Sequence, residues 1–144
     1  MTTIDELNHV FSNYYALYLK TQSYHWHVTG PHFKNLHEQF QEQYEDLATS
    51  VDVLAERIVT LGGKAPGTFN AIMQYSEIKD GDVYKKAEDM VLDLISDHEL
   101  VVKSLKRLEE IAGSEKDSVT EDLAISRTEI HQKYIWMLSA FLEN

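Results

Sequence analysis

A chain of 144 residues suits a single domain, 1–144, with one real hydrophobic core. Its formal net charge is −11 and no lysine or arginine precedes Lys20, so a basic arm for nucleic-acid phosphates is missing and direct DNA binding is disfavoured. It has no cysteine, which excludes thiolate metal sites and cysteine nucleophiles, and no apolar run of membrane-spanning length, so neither a membrane span nor a targeting segment is expected and the expected location is cytoplasmic.

Thr3 and Glu6 have the spacing of a capping box, and Leu7, Phe11, Tyr14 and Tyr18 recur every three or four residues, which predicts a first long helix. Eighteen residues complete five helical turns, so His25 falls on the face of Leu7 and extends the apolar stripe, whereas His27 points elsewhere. TGPH (29–32) breaks this helix, with Pro31 suited to the first position of the next. Leu36, Phe40, Leu47, Val51, Leu54, Ile58 and Leu61 mark a second long helix that stops at Gly62 and Gly63. The connection from GGKAPGTF (62–69) to KDGD (79–82) is longer than a hairpin needs and suits a crossing of the bundle, with FNAIMQYS (69–76) as a short extra helix inside it. Met90, Leu94, Val101, Leu105 and Leu108 mark a third long helix. After the AGSEKD loop (112–117), Ser118 and Glu121 form a second capping box, and Leu123, Ile130, Tyr134, Met137, Leu138 and Phe141 mark the fourth. Strand alternation and internal repeats are absent from the sequence, and four long apolar stripes are buried by packing on one another. The expected fold is therefore all-α: a four-helix bundle with a short extra helix in the connection between helices two and three.

The second helix carries the candidate chemistry. Asp52 and Glu56 are four residues apart, so their carboxylates share a face and can grip a divalent cation through oxygen, or simply form a solvated face that pairs with arginine. His37 lies on the same helix, but fifteen residues from Asp52 amount to roughly 22 Å along the axis. One ion with ligand bonds of about 2 Å cannot be reached from both ends of such a rod. Either the two ends serve different purposes or a second subunit supplies half the site. A twofold axis near the middle of antiparallel second helices would set His37 of one chain beside Asp52 and Glu56 of the other, with two identical sites per dimer. A di-iron centre inside one bundle needs Glu-x-x-His on two helices; Glu6 to His9 is the one match in the sequence, so no such centre is expected.

The stretch YHWHVTGPHFKNLHEQFQEQYEDLATSVDVLAERIVTLGG (24–63) resembles the signature of the Dps family, the ferritin-like proteins also called mini-ferritins. The matching parts are the His-Trp pair, the Gly followed by Phe, the second His twelve residues after the first, and D-x-x-AER-x-x-x-LGG. YIWMLSAFLEN (134–144) resembles the family's C-terminal helix. The resemblance implies a ferritin-like bundle assembled as a hollow homododecamer. It implies a ferroxidase-type oxidoreductase that oxidises Fe2+, usually with hydrogen peroxide, at sites shared across twofold contacts, and stores the product as ferric mineral. The implied ligands are His25 and His37 from one chain and Asp52 and Glu56 from its mate. One position departs: the family's acidic residue four places after the second histidine is Gln41 here. A neutral amide oxygen holds Fe2+ less well than a carboxylate, so one firm iron position and a weaker second are expected, the second helped by Glu38 or Glu45. The resemblance also makes Asp117, Glu121 and Asp122 candidates for a threefold pore, although carboxylates at a helix start are equally explained by its dipole. Glu38, Glu42 and Glu45 are candidates for a mineral-facing surface or for simple solubility.

Trp26, beside a ligand, is a candidate for intercepting stray oxidising equivalents, with packing as the plainer role. His27 is expected as an exposed helix-end residue, and His9, His32, His98 and His131 as structural or surface histidines. Tyr134, Trp136 and Phe141 are expected to pack. Two other readings remain at this level: a DNA-compacting protein, which the charge opposes, and a non-enzymatic helical oligomer. Histidine and carboxylate donors would also accept zinc or manganese.

Overall fold

The computed structural model describes residues 1–143; Asn144, the last residue of the C-terminal motif, lies outside the described residues. Four long helices and one short one follow in order: α1 Thr3–His27, α2 Phe33–Thr60, α3 Phe69–Tyr75, α4 Ala87–Ser114 and α5 Ser118–Phe141. The short links 28–32 and 115–117 make hairpins of α1 with α2 and of α4 with α5; α1 then packs on α4, and α3 lies against α1. Among the described residues there is no strand, and no helix is long and apolar enough to cross a membrane.

Helix ends follow local chemistry: the caps of α1 and α5 each lie one residue before the expected position, and α4 runs through Ser114 into the loop expected over 112–117. Thr2 rather than Thr3 caps α1: its hydroxyl accepts from the Asp5 amide (3.2 Å) and Asp5 accepts from the Thr2 amide (2.9 Å). This shift releases Glu6, whose buried carboxylate accepts from Ser104 (3.0 Å) and Arg107 (3.1 Å) on α4. At α5 the cap is Asp117, not Ser118; it accepts from the Thr120 amide at 3.1 Å. Pro31 sits in the turn ahead of α2, which begins at Phe33. Gly62 does end α2: at φ +91° its amide reaches the Val59 carbonyl, and the Gly63 amide reaches the Ile58 carbonyl, both at 3.0 Å.

The core contains the expected faces of the first three long helices, among them Leu7, Tyr14, Phe40, Leu54, Leu94 and Leu105. The α5 stripe differs. Of the six apolar residues expected to mark it, Leu138 alone is fully buried; the rest of the buried face is Thr120, Ala124, Arg127 and His131. Polar groups survive there because partners on three other helices satisfy them. Arg127 Nε donates to the Tyr14 hydroxyl (2.8 Å), and its terminal nitrogens grip Asp46 at 3.0 and 2.7 Å. An arginine accepts nothing, so the Tyr14 proton goes to His131 Nε2 (2.6 Å). His131 Nδ1–H then donates to His98 Nδ1 (2.9 Å), and His98 Nε2–H to the Gln43 carbonyl (3.3 Å). One direction of donation runs from Arg127 to Gln43, and it requires both histidines to be neutral.

Burial, together with the positive charge of Arg127, pushes His98 down to about 3 and His131 well below its ordinary value. The unfolded chain takes up these protons below about pH 6.5 while the folded chain refuses them, so acid favours unfolding. Asp97, which burial raises to about 6, acts oppositely, but it is one group against two. Denaturant midpoints should therefore fall between about pH 6.5 and about pH 4, by up to about 1.4 kcal/mol per unit for each histidine before Asp97 is offset. A flat profile would contradict neutral burial. Tyr14→Phe removes the link between Arg127 and His131 and should cost about 1–3 kcal/mol in the same denaturation experiment.

Candidate metal centre

His25 lies in the last turn of α1 and His37 just after the start of α2. The intervening link is short, and Gly30 at φ +108° turns it tightly enough to lay the two helix ends together while Val28 tucks into the core. The imidazoles stack face to face, with centroids 3.7 Å apart and planes within 14°. Their hydrogen bonds are reciprocal: His25 Nδ1–H donates to the His37 carbonyl (2.6 Å), and His37 Nδ1–H to the His25 carbonyl (2.7 Å). A carbonyl can only accept, so both protons sit on Nδ1 and each Nε2 keeps a lone pair. This is the orientation and tautomer that a metal-ligating histidine needs. Phe33 stacks on the far side of His37 (5.0 Å, 28°), and Tyr44 meets His25 edge-on at 5.1 Å. Phe33 is the Phe of the Gly–Phe motif, whereas Tyr44 did not stand out in the sequence; they lie four residues before and seven after His37 and so share its side of the helix.

Asp52 and Glu56 are exposed, one turn apart on α2. Because α2 is unbroken, Asp52 remains roughly 22 Å and Glu56 roughly 28 Å along the axis from His37. The structure thus brings His25 to His37 and Asp52 to Glu56, but not one pair to the other within a chain. No cluster of three or more histidine or acidic side chains fit for a metal occurs among the described residues. The bundle centre holds Arg127, Tyr14, His98 and His131, and a fixed guanidinium there repels cations.

Gln41, one turn from His37, donates from its amide nitrogen to Glu45 (2.8 Å), which leaves the amide oxygen available. Asp117 is committed to its cap and to Arg57 (2.9 Å); although partial burial raises its pKa, the Thr120 bonds and the Arg57 charge bring it below the usual carboxylate range. Glu121 lies against Gly113, and Asp122 is exposed and shares a surface hollow with Glu56. Glu38, Glu42 and Glu45 are all exposed on α2.

Trp26 is 57% exposed and its ring meets His27 at 6.4 Å rather than a ligand histidine. With Tyr15, Leu19, Phe69 and Met73 it lines an apolar groove of about 770 Å³ between α1 and α3. His27 is exposed and bonded to the Ser23 carbonyl (2.7 Å), and His9 bonds the Tyr75 carbonyl (2.9 Å), tying α3 to α1. His32 is exposed against Phe141, which is itself half-buried, as is Tyr134; Trp136 is 66% exposed, contrary to the packing expected of it, because it sits on the outer face of α5.

Helix order and site place the chain among ferritin-like bundles, and the family model of the ferritin-like domain matches residues 4–144. The chain is 37% identical over 139 residues to DNA protection during starvation protein 2 of Bacillus anthracis, covering 96% of this chain and 95% of that one. The crystal structure of Dps from Staphylococcus aureus superposes with a TM-score of 0.95 at 36% identity, over 99% of this chain and 95% of that one. That of Vibrio cholerae Dps, described as a member of a broad superfamily of ferritin-like diiron-carboxylate proteins, gives 0.94 at 30% identity, over 98% and 89%. The chain belongs to the Dps family.

Since each ring keeps its own carbonyl bond when the other is truncated, His25→Ala and His37→Ala should act separately. If the rings hold a metal, each substitution removes a donor and should weaken Zn2+ or Co2+ binding in calorimetry by at least the about 10–100-fold typical of losing a partner that merely orients a ligand. Undiminished affinity in both would remove the imidazoles from the site.

Proposed function

We propose that the protein oxidises Fe2+ with hydrogen peroxide at centres built by two copies, His25 and His37 from one and Asp52 and Glu56 from the other, and stores the ferric product inside a hollow shell of twelve subunits. The observation that carries this reading is the pair of Nδ1-locked imidazoles held apart from its carboxylates by an unbroken helix. The apolar groove between α1 and α3, with Trp26 and Phe69 at the surface, supplies a face for the second copy to cover. An isologous contact makes two such centres per dimer.

The donor set suits Fe2+ as substrate: two neutral nitrogens and two carboxylates offset its charge and leave positions for the oxidant. Two ferrous ions give one electron each to hydrogen peroxide, and two protons complete two waters, so no hydroxyl radical is released. Gln41 weakens the second iron position, since the amide that replaces a carboxylate adds no charge. Asp122, exposed beside Glu56, is the candidate that draws Fe2+ inward, while Asp117 serves mainly its helix. The relatives' names speak of DNA protection; for this chain, with its −11 charge, we assign protection to removal of iron and peroxide rather than to direct DNA contact.

Subunit mixing tests the shared centre. A His25→Ala/His37→Ala chain and an Asp52→Ala/Glu56→Ala chain should each lose rapid iron oxidation in stopped-flow measurements. Unfolded and reassembled together, mixed dimers regain one intact centre in two. If mixing restores nothing while both variants assemble, the centre is not shared.

A further inference from the structure

We propose that Glu45 is the positioning residue of the second iron position: its carboxylate holds the Gln41 amide with the oxygen left for the metal, and returns the negative charge that an amide lacks. The proposal rests on the ferroxidase reading above. Its basis is one hydrogen bond and the order of three residues. His37, Gln41 and Glu45 follow one another at four-residue steps on unbroken α2, so each side chain neighbours the next. Gln41 Nε2 donates to Glu45 Oε1 at 2.8 Å. A carboxylate can only accept, so the amino end of the amide is the committed end. The oxygen is therefore the end available to the turn that carries His37, whose ring spends Nδ1–H on the His25 carbonyl and keeps the Nε2 lone pair. Gln41 is half-buried and Glu45 exposed, and none of the ion pairs among the described residues uses Glu45.

The last torsion of a glutamine side chain is broad and roughly two-fold, so an unheld amide turns either end outward with little preference. Only the oxygen binds a cation; the amino end repels it. A hydrogen bond to an ionised group is strong enough to choose between the two ends before metal arrives. It also polarises the amide and leaves more negative charge on its oxygen. The Glu45 charge itself stands one hydrogen bond beyond the amide, well inside the screening length of about 8 Å at physiological salt, so it draws Fe2+ toward a ligand that is neutral. The firm position takes its charge from Asp52 and Glu56 of the other copy and should be indifferent to Glu45. Glu45 thus sets how many centres hold a pair of ferrous ions, and a pair is what reduces hydrogen peroxide by two electrons without releasing hydroxyl radical.

The test titrates Co2+ anaerobically into metal-free assembled protein and reads both heat and the visible Co2+ spectrum. The wild type should bind one tight and one weaker equivalent per centre. Glu45→Ala should weaken the second equivalent by about 10-fold or more, the loss typical when a group that orients a ligand is removed, and leave the first unchanged. Glu45→Gln, which keeps an acceptor for the amide but no charge, should fall between the two. Gln41→Glu should tighten the second equivalent, and in that background Glu45→Ala should lose most of its effect, since a carboxylate binds through either oxygen. Glu42→Ala removes the same charge from the residue beside Gln41, which points about 100° away, and should match the wild type. The assignment is overturned if the wild type takes up a single equivalent, if Glu45→Ala leaves the second unchanged or weakens both alike, if Glu42→Ala does as much, or if the loss is as large in the Gln41→Glu background. Failure of the ferroxidase reading looks different: Asp52→Ala/Glu56→Ala then still takes up the first equivalent tightly.

Discussion

The stiffness of α2 governs everything proposed about this protein. Twenty-eight residues in one uninterrupted helix hold His37 near one end and Asp52 and Glu56 toward the other. A helix does not fold back on itself to close a gap of roughly 22 Å. If these side chains serve one ion, the protein must be an assembly before it can act, and its activity must depend on subunit concentration as well as on its own fold. The histidine half is nevertheless prepared within one chain. The two carbonyl bonds fix ring orientation and tautomer before any partner or metal arrives, so little ordering remains to be done on binding.

The prepared histidine pair contrasts with the bundle centre, where ferritin-like di-iron proteins carry their carboxylates. Here that space is filled by a chain of donors fixed by arginine chemistry: Arg127 sets the direction of the Tyr14 proton, and the two histidines follow. A buried guanidinium gripped by Asp46 would be a poor neighbour for a cation, and neutral histidines tied to one another have no spare lone pair aimed at open space. Two pairs of histidines in one small protein thus have opposite uses. His98 and His131 spend their acceptor nitrogens on neighbours; His25 and His37 spend only donors.

Much of the fold was legible because it follows from periodicity. The spacing of Leu36 through Leu61 and of Met90 through Leu108 marks two helices, and Gly62 with Gly63 marks a stop whose geometry needs a positive φ. What stayed hidden has a common cause. The inner face of α5 is Arg127 and His131, and hydropathy cannot show that a polar residue will be buried when its partners, Tyr14 and Asp46, lie on other helices. The two caps were misplaced by one residue because Thr2 and Thr3, like Asp117 and Ser118, offer equally good capping atoms in sequence; tertiary partners decide between them. Glu115 claims Thr3, and Arg57 draws Asp117. At the candidate site, His25, His37, Asp52 and Glu56 stood out by motif and spacing, but the stacked rings of the two histidines and their carbonyl locks did not, since they depend on the angle at which two helices meet over Gly30.

That angle also decides which aromatic ring meets His25. Adjacent residues on a helix point about 100° apart, so Trp26 is directed away from His25 by the same geometry that directs His25 inward. Tyr44, distant in sequence, is brought to His25 by the packing of α2 on α1, and Tyr18 meets it from α1.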